Sequence, residues 1–257
     1  MNPSSNPAKF FTLLGRFAVI ATRNRRGLRH LLGNALALSE QLVEESVDVT
    51  ALPEVSVEDL FEQANQEAVL SLWAVPPVAR SISLHEAVCL SALMKHAQAR
   101  RVFEFGTYRG VSTTQLALNL PPGGQVFTLD LPVTDLNTQF ALDTIGEVEV
   151  VKDARKGDLI PDQVRPRITF ITQDSAKFDP GPYENSMDLV FVDGAHTAEY
   201  VKNDSEKGWR MLRPGGIICW HDCRFNSASV IKYLRSCSYQ PRRILGGSIA
   251  FAVKPAA

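Results

Sequence analysis

The chain has 257 residues, enough for one large domain or a domain with a substantial extension, and at either size it can bury a core without covalent staples. Hydrophobic residues make up 45% and charged residues 21%, as in an ordinary water-soluble globular protein, and a formal net charge of −1 argues against a nucleic-acid partner. The four scattered cysteines, Cys89, Cys219, Cys223 and Cys237, exclude a disulfide framework and fit a reducing compartment, so a cytoplasmic location is the expectation.

Residues 1–39 carry six basic side chains and no acidic one, which leaves the rest of the chain acidic. Phe10, Leu13, Leu14 and Phe17 fall at helical spacing beside Arg16, Arg23, Arg25, Arg26 and Arg29. Two readings are open: a helix that docks on its own domain or on a second subunit of a homo-oligomer, or an amphipathic helix over residues 9–30 that rests peripherally on an anionic membrane. No run reaches the ~20 apolar residues needed to span a bilayer. The helical pattern continues to about residue 50, Pro53 interrupts it, and VSVEDLFEQANQEAV reads as a further helix. Residues 1–75 are therefore expected to form an N-terminal helical extension and residues 76–257 the main domain.

After Pro76 and Pro77, Leu84, Val88, Leu90, Leu93 and Met94 recur at helical intervals. Short apolar runs then alternate with helical segments: RVFEFG, STTQLALNL, QVFTLDL, RITFITQ, MDLVFVDG, TAEYVKNDSEKGWRML and GIICWHD. Runs apolar on both faces, separated by helices, predict a doubly wound α/β fold with a mostly parallel sheet. SVIKYLRSC, RRILG and SIAFAVK add a helix and two strands that finish the sheet antiparallel, for seven strands in all.

In such a sheet, ligands sit beyond the carboxyl ends of the strands. The stretch VFEFGTYRG ends its strand in Gly106 and Gly110, residues whose missing side chains let the backbone approach a ligand. Ser112 or Thr113 can begin the helix that follows. A dinucleotide fingerprint requires GxGxxG, whereas the spacing here is GxxxG and Glu104 precedes the first glycine. A carboxylate there repels a pyrophosphate and welcomes a cation.

EFGTYRG, with an acid ending the next strand at Asp130, resembles the first two motifs of the class I S-adenosylmethionine-dependent methyltransferases. The resemblance extends through ITQDSAKFD, SMDLVFVDGAHTAEYVKND and RMLRPGGIICWHD, about 150 residues in order, and is similar to the bacterial group related to macrocin O-methyltransferase. It implies a Rossmann-like methyltransferase fold and S-adenosyl-L-methionine as cofactor. Carried over, it places Glu104, Gly106, Thr107, Tyr108, Gly110 and Ser112 around the cofactor's amino-acid end and Asp130 on the ribose hydroxyls. Asp174 and Ser175 are placed at the adenine, and Asp193 beside the cofactor's reactive end. The acceptor implied is a hydroxyl of a small molecule or saccharide.

Methyl transfer from a sulfonium is an in-line displacement that needs alignment and removal of the acceptor's proton. Asp193, His196, His221 and Asp222 are the candidates, at the ends of two strands that the family's strand order sets side by side. Three readings stay open. Asp193 and Asp222 bind a divalent cation such as Mg, which lowers the acceptor's pKa; His221 is a general base without metal, with His196 nearby; or these side chains are structural. Cys219, His221 and Cys223 also imitate a zinc set, without a fourth ligand. The rival classes are an NAD-linked oxidoreductase on the same sheet and a non-catalytic binding or scaffold module.

Overall fold

The computed structural model describes residues 52–64, 67–74, 78–133, 137–142, 145–153, 155–224 and 227–256. The basic stretch, and with it the readings made for residues 9–30, lies outside the described residues. The helices are α1 (Val57–Ala64), α2 (Leu84–His96), α3 (Val111–Leu118), α4 (Ile145–Lys152), α5 (Ala198–Met211) and α6 (Ala228–Ser236). The strands are β1 (Glu54–Val55), β2 (Arg101–Phe105), β3 (Gln125–Asp130), β4 (Ile168–Thr172), β5 (Met187–Val192), β6 (Leu212–Trp220), β7 (Arg242–Ile244) and β8 (Ala250–Val253).

All eight strands join one sheet in the order β1-β7-β8-β6-β5-β2-β3-β4. β4, β3, β2, β5 and β6 are mutually parallel, and β8 runs antiparallel to both β6 and β7. The seven expected strands are present. The eighth is β1, which pairs parallel with β7 at the edge through Glu54↔Arg243 and Val55↔Ile244. Two residues are too short to show an alternation, and this edge strand comes from the stretch ahead of Pro76.

The apolar runs are continuous because the sheet is covered on both sides. Val102, Leu189, Phe191, Ile217 and Cys219 pack into one cluster with Leu90 and Leu93 of α2 and Leu116 of α3. Phe103, Phe105, Val190, Ile218 and Trp220 pack into the other with Val201 and Met211 of α5 and Leu234 of α6. The period of two thus sorts neighbouring residues of one strand into opposite cores. α2 starts where a capping box predicts: the Ser83 hydroxyl accepts from the Glu86 amide, and Glu86 accepts from the Ser83 amide. Chain order reverses between β2 and its two neighbours β3 and β5, so a crevice opens above their carboxyl ends.

Candidate active site

β2 ends at Phe105 and the chain turns through Gly106–Gly110 into α3. Gly106 (φ 97°), Gly110 (φ 86°) and Tyr108 (φ 43°) all adopt left-handed backbone. The glycines clear space for the chain itself. A Cβ on Gly106 would lie 2.1 Å from the Asp193 carbonyl oxygen, and one on Gly110 would lie 2.3 Å from Ile160 Cγ1.

Asp130, at the end of β3, faces this loop. Its Oδ2 accepts from the amides of Thr107 (3.2 Å) and Tyr108 (2.7 Å); its Oδ1 accepts from the Leu131 amide (2.8 Å) and the Lys156 ammonium (2.8 Å). Glu104, in β2, is fully buried. Its Oε2 accepts from the hydroxyls of Thr113 (2.5 Å) and Thr128 (2.6 Å), while Oε1 has no hydrogen-bond partner. Burial pushes its pKa up to about 7, against the opposing pull of the Ser112, Thr113 and Thr128 hydroxyls.

Asp174 and Ser175 follow β4 and are both buried. Asp174 accepts from the Gln139 amide (2.8 Å), the Ala176 amide (2.9 Å) and the Tyr200 hydroxyl (3.0 Å). The Ser175 carbonyl accepts from Lys207 Nζ (2.5 Å) and Asn203 Nδ2 (3.2 Å). Beneath them in α5 lies Asp204, 1% exposed, whose pKa burial pushes up to about 7, against Ser175, Asn203 and Lys207.

Glu104 and Asp204 share a consequence for stability. Each folded-state pKa lies above its unfolded value of about 4, so the folded chain keeps protons that the unfolded chain has lost. Stability therefore falls as pH rises from about 4 to about 7. Asp204→Asn should show a shallower fall in melting temperature across that window, keeping only the Glu104 share. Equal slopes in the two chains would reject this.

Asp193 and His221 lie just past the paired ends of β5 and β6, and His221 donates its amide to the Val192 carbonyl at 3.1 Å. Asp222 then takes left-handed backbone (φ 55°), a conformation Asp tolerates, and this sharp turn keeps its side chain at the same mouth. Three ligand atoms, one each from Asp193, His196 and Asp222, lie within 4.8 Å of one another. His196 Nε2 stands 2.6 Å from Asp222 Oδ2, and Arg224 lies 2.6 Å from Asp222 Oδ1.

His221 is enclosed. Its Nδ1 is 2.9 Å from Asp193 Oδ1 and its Nε2 is 3.4 Å from Glu86 Oε1, and the residue is 7% exposed. Burial alone would lower its pKa, but Asp193, Asp222 and Glu86 outweigh it and hold the ring well above its usual value. His196, with its side chain 35% exposed, stands at the rim. Among the described residues, Cys219, His221 and Cys223 do not form a metal-ligating group, and burial raises both thiols. Trp220 is core, its indole donating to the Ser205 hydroxyl at 2.8 Å.

The structure thus sets Asp130 against the Gly106–Gly110 loop and gathers Asp193, His196, His221 and Asp222 past the ends of β5 and β6, and it adds Lys156 to the first group and Glu86 and Arg224 to the second. Of these, Glu86 had a sequence signal, the Ser83–Glu86 capping pattern, but that pattern marks a helix start and says nothing of a site.

A family profile described as a methyltransferase domain matches residues 103–223. The caffeoyl-CoA O-methyltransferase of Stellaria longipes is 28% identical over 192 residues, covering 72% of this chain and 69% of that one. Residues 103–223 thus carry a methyltransferase domain. Caffeoyl-CoA O-methyltransferase 2 of Zea mays is likewise 28% identical, over 162 residues, with 60% of this chain and 56% of that one covered. A Staphylococcus aureus structure, provisionally named a caffeoyl-CoA O-methyltransferase, aligns with a TM-score of 0.50 at 13% identity, covering 84% of this chain and 99% of that one. Among the described residues, no helix is long and apolar enough to cross a membrane.

Proposed function

We propose that this chain is a methyltransferase that carries a methyl group from S-adenosylmethionine to a hydroxyl of a small molecule or saccharide, with a divalent cation held by Asp193, His196 and Asp222. The observation that carries this reading is the meeting of those three ligand atoms within 4.8 Å, beside the loop that begins at Gly106. Relatives named for O-methylation support an oxygen acceptor.

The residues present fit the cofactor. The buried Glu104 Oε1 that has no partner would be satisfied by an aminium donor, the group at the cofactor's amino-acid end. Around that end stand Gly106, Thr107, Tyr108, Gly110 and Ser112. Asp130 would take the ribose hydroxyls, and Asp174 with Ser175 would flank the adenine.

Two carboxylates and an imidazole also fit a divalent cation, and the nitrogen ligand suits Mn better than Mg, which prefers all-oxygen surroundings. When bound, such an ion would lower the pKa of the acceptor hydroxyl. The chain's own part is orientation. His221, buried between Asp193 and Glu86, fixes the Asp193 carboxylate by a hydrogen bond of 2.9 Å. Val192, Trp220 and Val230 line a small cavity together with Asp193, His196 and His221.

A second reading rests on the 2.6 Å contact between His196 and Asp222, an acid–imidazole pair that could take the acceptor's proton without a metal. Titration with Mn(II), followed by its paramagnetic resonance signal, separates the two. On the metal reading the parent chain binds one ion, and Asp193→Ala, Asp222→Asn and His196→Ala each lose it. If His196→Ala binds Mn(II) like the parent while methyl transfer from labelled cofactor to a panel of hydroxyl acceptors disappears, the acid–imidazole reading replaces it.

A further inference from the structure

We propose that Lys156 gates the cofactor site by competition: its ammonium occupies the place on Asp130 that the cofactor's ribose must claim. The inference rests on the ribose role proposed for Asp130. An ionised carboxylate offers about four lone-pair positions, and Asp130 spends them on four donors of its own chain. Three are main-chain amides, those of Thr107, Tyr108 and Leu131, which hold the loop's shape and cannot withdraw. The fourth is Lys156 Nζ, on a flexible side chain. A ribose hydroxyl donor meets a saturated acid until the lysine leaves and frees one position.

The geometry makes that departure easy and local. The pair is 18% and 19% exposed, so water can take over the ammonium as it swings out. The segment that carries Lys156 is fastened to the glycine loop independently of it. The Gly157 amide donates to the Tyr108 carbonyl at 2.7 Å and the Leu159 amide to the Arg109 carbonyl at 3.2 Å. The Arg109 guanidinium grips Asp158 through two bonds of 2.9 and 2.6 Å. Ile160 fills the space opposite Gly110. Lys156 is therefore presented to Asp130 by a platform that stays docked with or without the ion pair. The same connector between β3 and β4 reaches the other nucleoside acid as well, through the Gln139 amide on Asp174.

Calorimetric titration with S-adenosylhomocysteine tests this in the full chain, using the parent, Lys156→Met and Lys156→Gln. If the closed pair holds about nine-tenths of the molecules, removing it tightens binding about tenfold, and both variants are expected to show that gain with parental melting temperatures. Equal or weaker affinity in the two variants would overturn the proposal, since a lysine that helped the ribose would cost affinity when removed. Asp130→Ala, titrated alongside, separates the layers. If it binds like the parent, the ribose assignment falls and the gate with it; if it loses binding while the Lys156 variants match the parent, the gate alone falls.

Discussion

Asp130→Ala should bind S-adenosylhomocysteine about ten- to a hundredfold more weakly than the parent chain. A hydroxyl hydrogen bond to a charged acceptor is worth roughly 1.5–3 kcal/mol, and every 1.4 kcal/mol is a factor of ten in affinity. The loss has a second source, because the same carboxylate accepts the amides of Thr107 and Tyr108 and so shapes the loop that meets the amino-acid end. Freeing Lys156 works in the opposite direction but returns only the cost of one partly exposed pair. Asp130→Asn keeps one carbonyl acceptor and is expected to fall between the two. Calorimetry on all three, with melting curves to show that the fold is intact, checks the assignment; unchanged affinity in the alanine variant rejects it.

Gly106→Ala is expected to destabilise the protein by about 3 kcal/mol or more, or to prevent folding. The added carbon would sit 2.1 Å from the Asp193 carbonyl oxygen and 2.8 Å from its carbon, so the ends of β2 and β5 would have to part. Overpacking a rigid site typically costs 1–3 kcal/mol, and a left-handed φ of 97° adds roughly 1–2 kcal/mol of backbone strain for a residue with a side chain. Neither partner can move cheaply, because the Gly106 amide bonds the Leu129 carbonyl at 2.8 Å and the Asp193 amide bonds the Phe105 carbonyl at 2.9 Å. Denaturant titration gives the number. A variant as stable as the parent, still able to bind S-adenosylhomocysteine, would show that the two strand ends are looser than drawn.

The sheet was readable because each central strand is buried on both faces, so its residues form unbroken apolar runs such as MDLVFV between helices. Asp130 was readable for a related reason: an acid that ends such a run is conspicuous. What stayed hidden depends on contacts between residues far apart in sequence. Nothing in the sequence says that a Cβ on Gly110 would meet Ile160, fifty residues away. Lys156 looks like one more charge in a basic and acidic loop, and only the fold of the connector sets it on Asp130. The two histidines illustrate the same limit. In sequence, His221 and His196 are two candidates of one kind; only the fold sets His221 between Asp193 and Glu86 and His196 at the opening. β1 escaped because two residues carry no periodicity at all.

Glu86 gives the molecule a dependence that the boundaries of the matched segment conceal. Its carboxylate joins the start of α2 to Ser248, in the turn between β7 and β8, and to the ring of His221, yet Glu86 and Ser248 both fall outside residues 103–223. A protein trimmed to residues 103–223 would lose this brace behind its reactive corner, so divergence in the flanks can retune the chemistry while every motif residue stays the same.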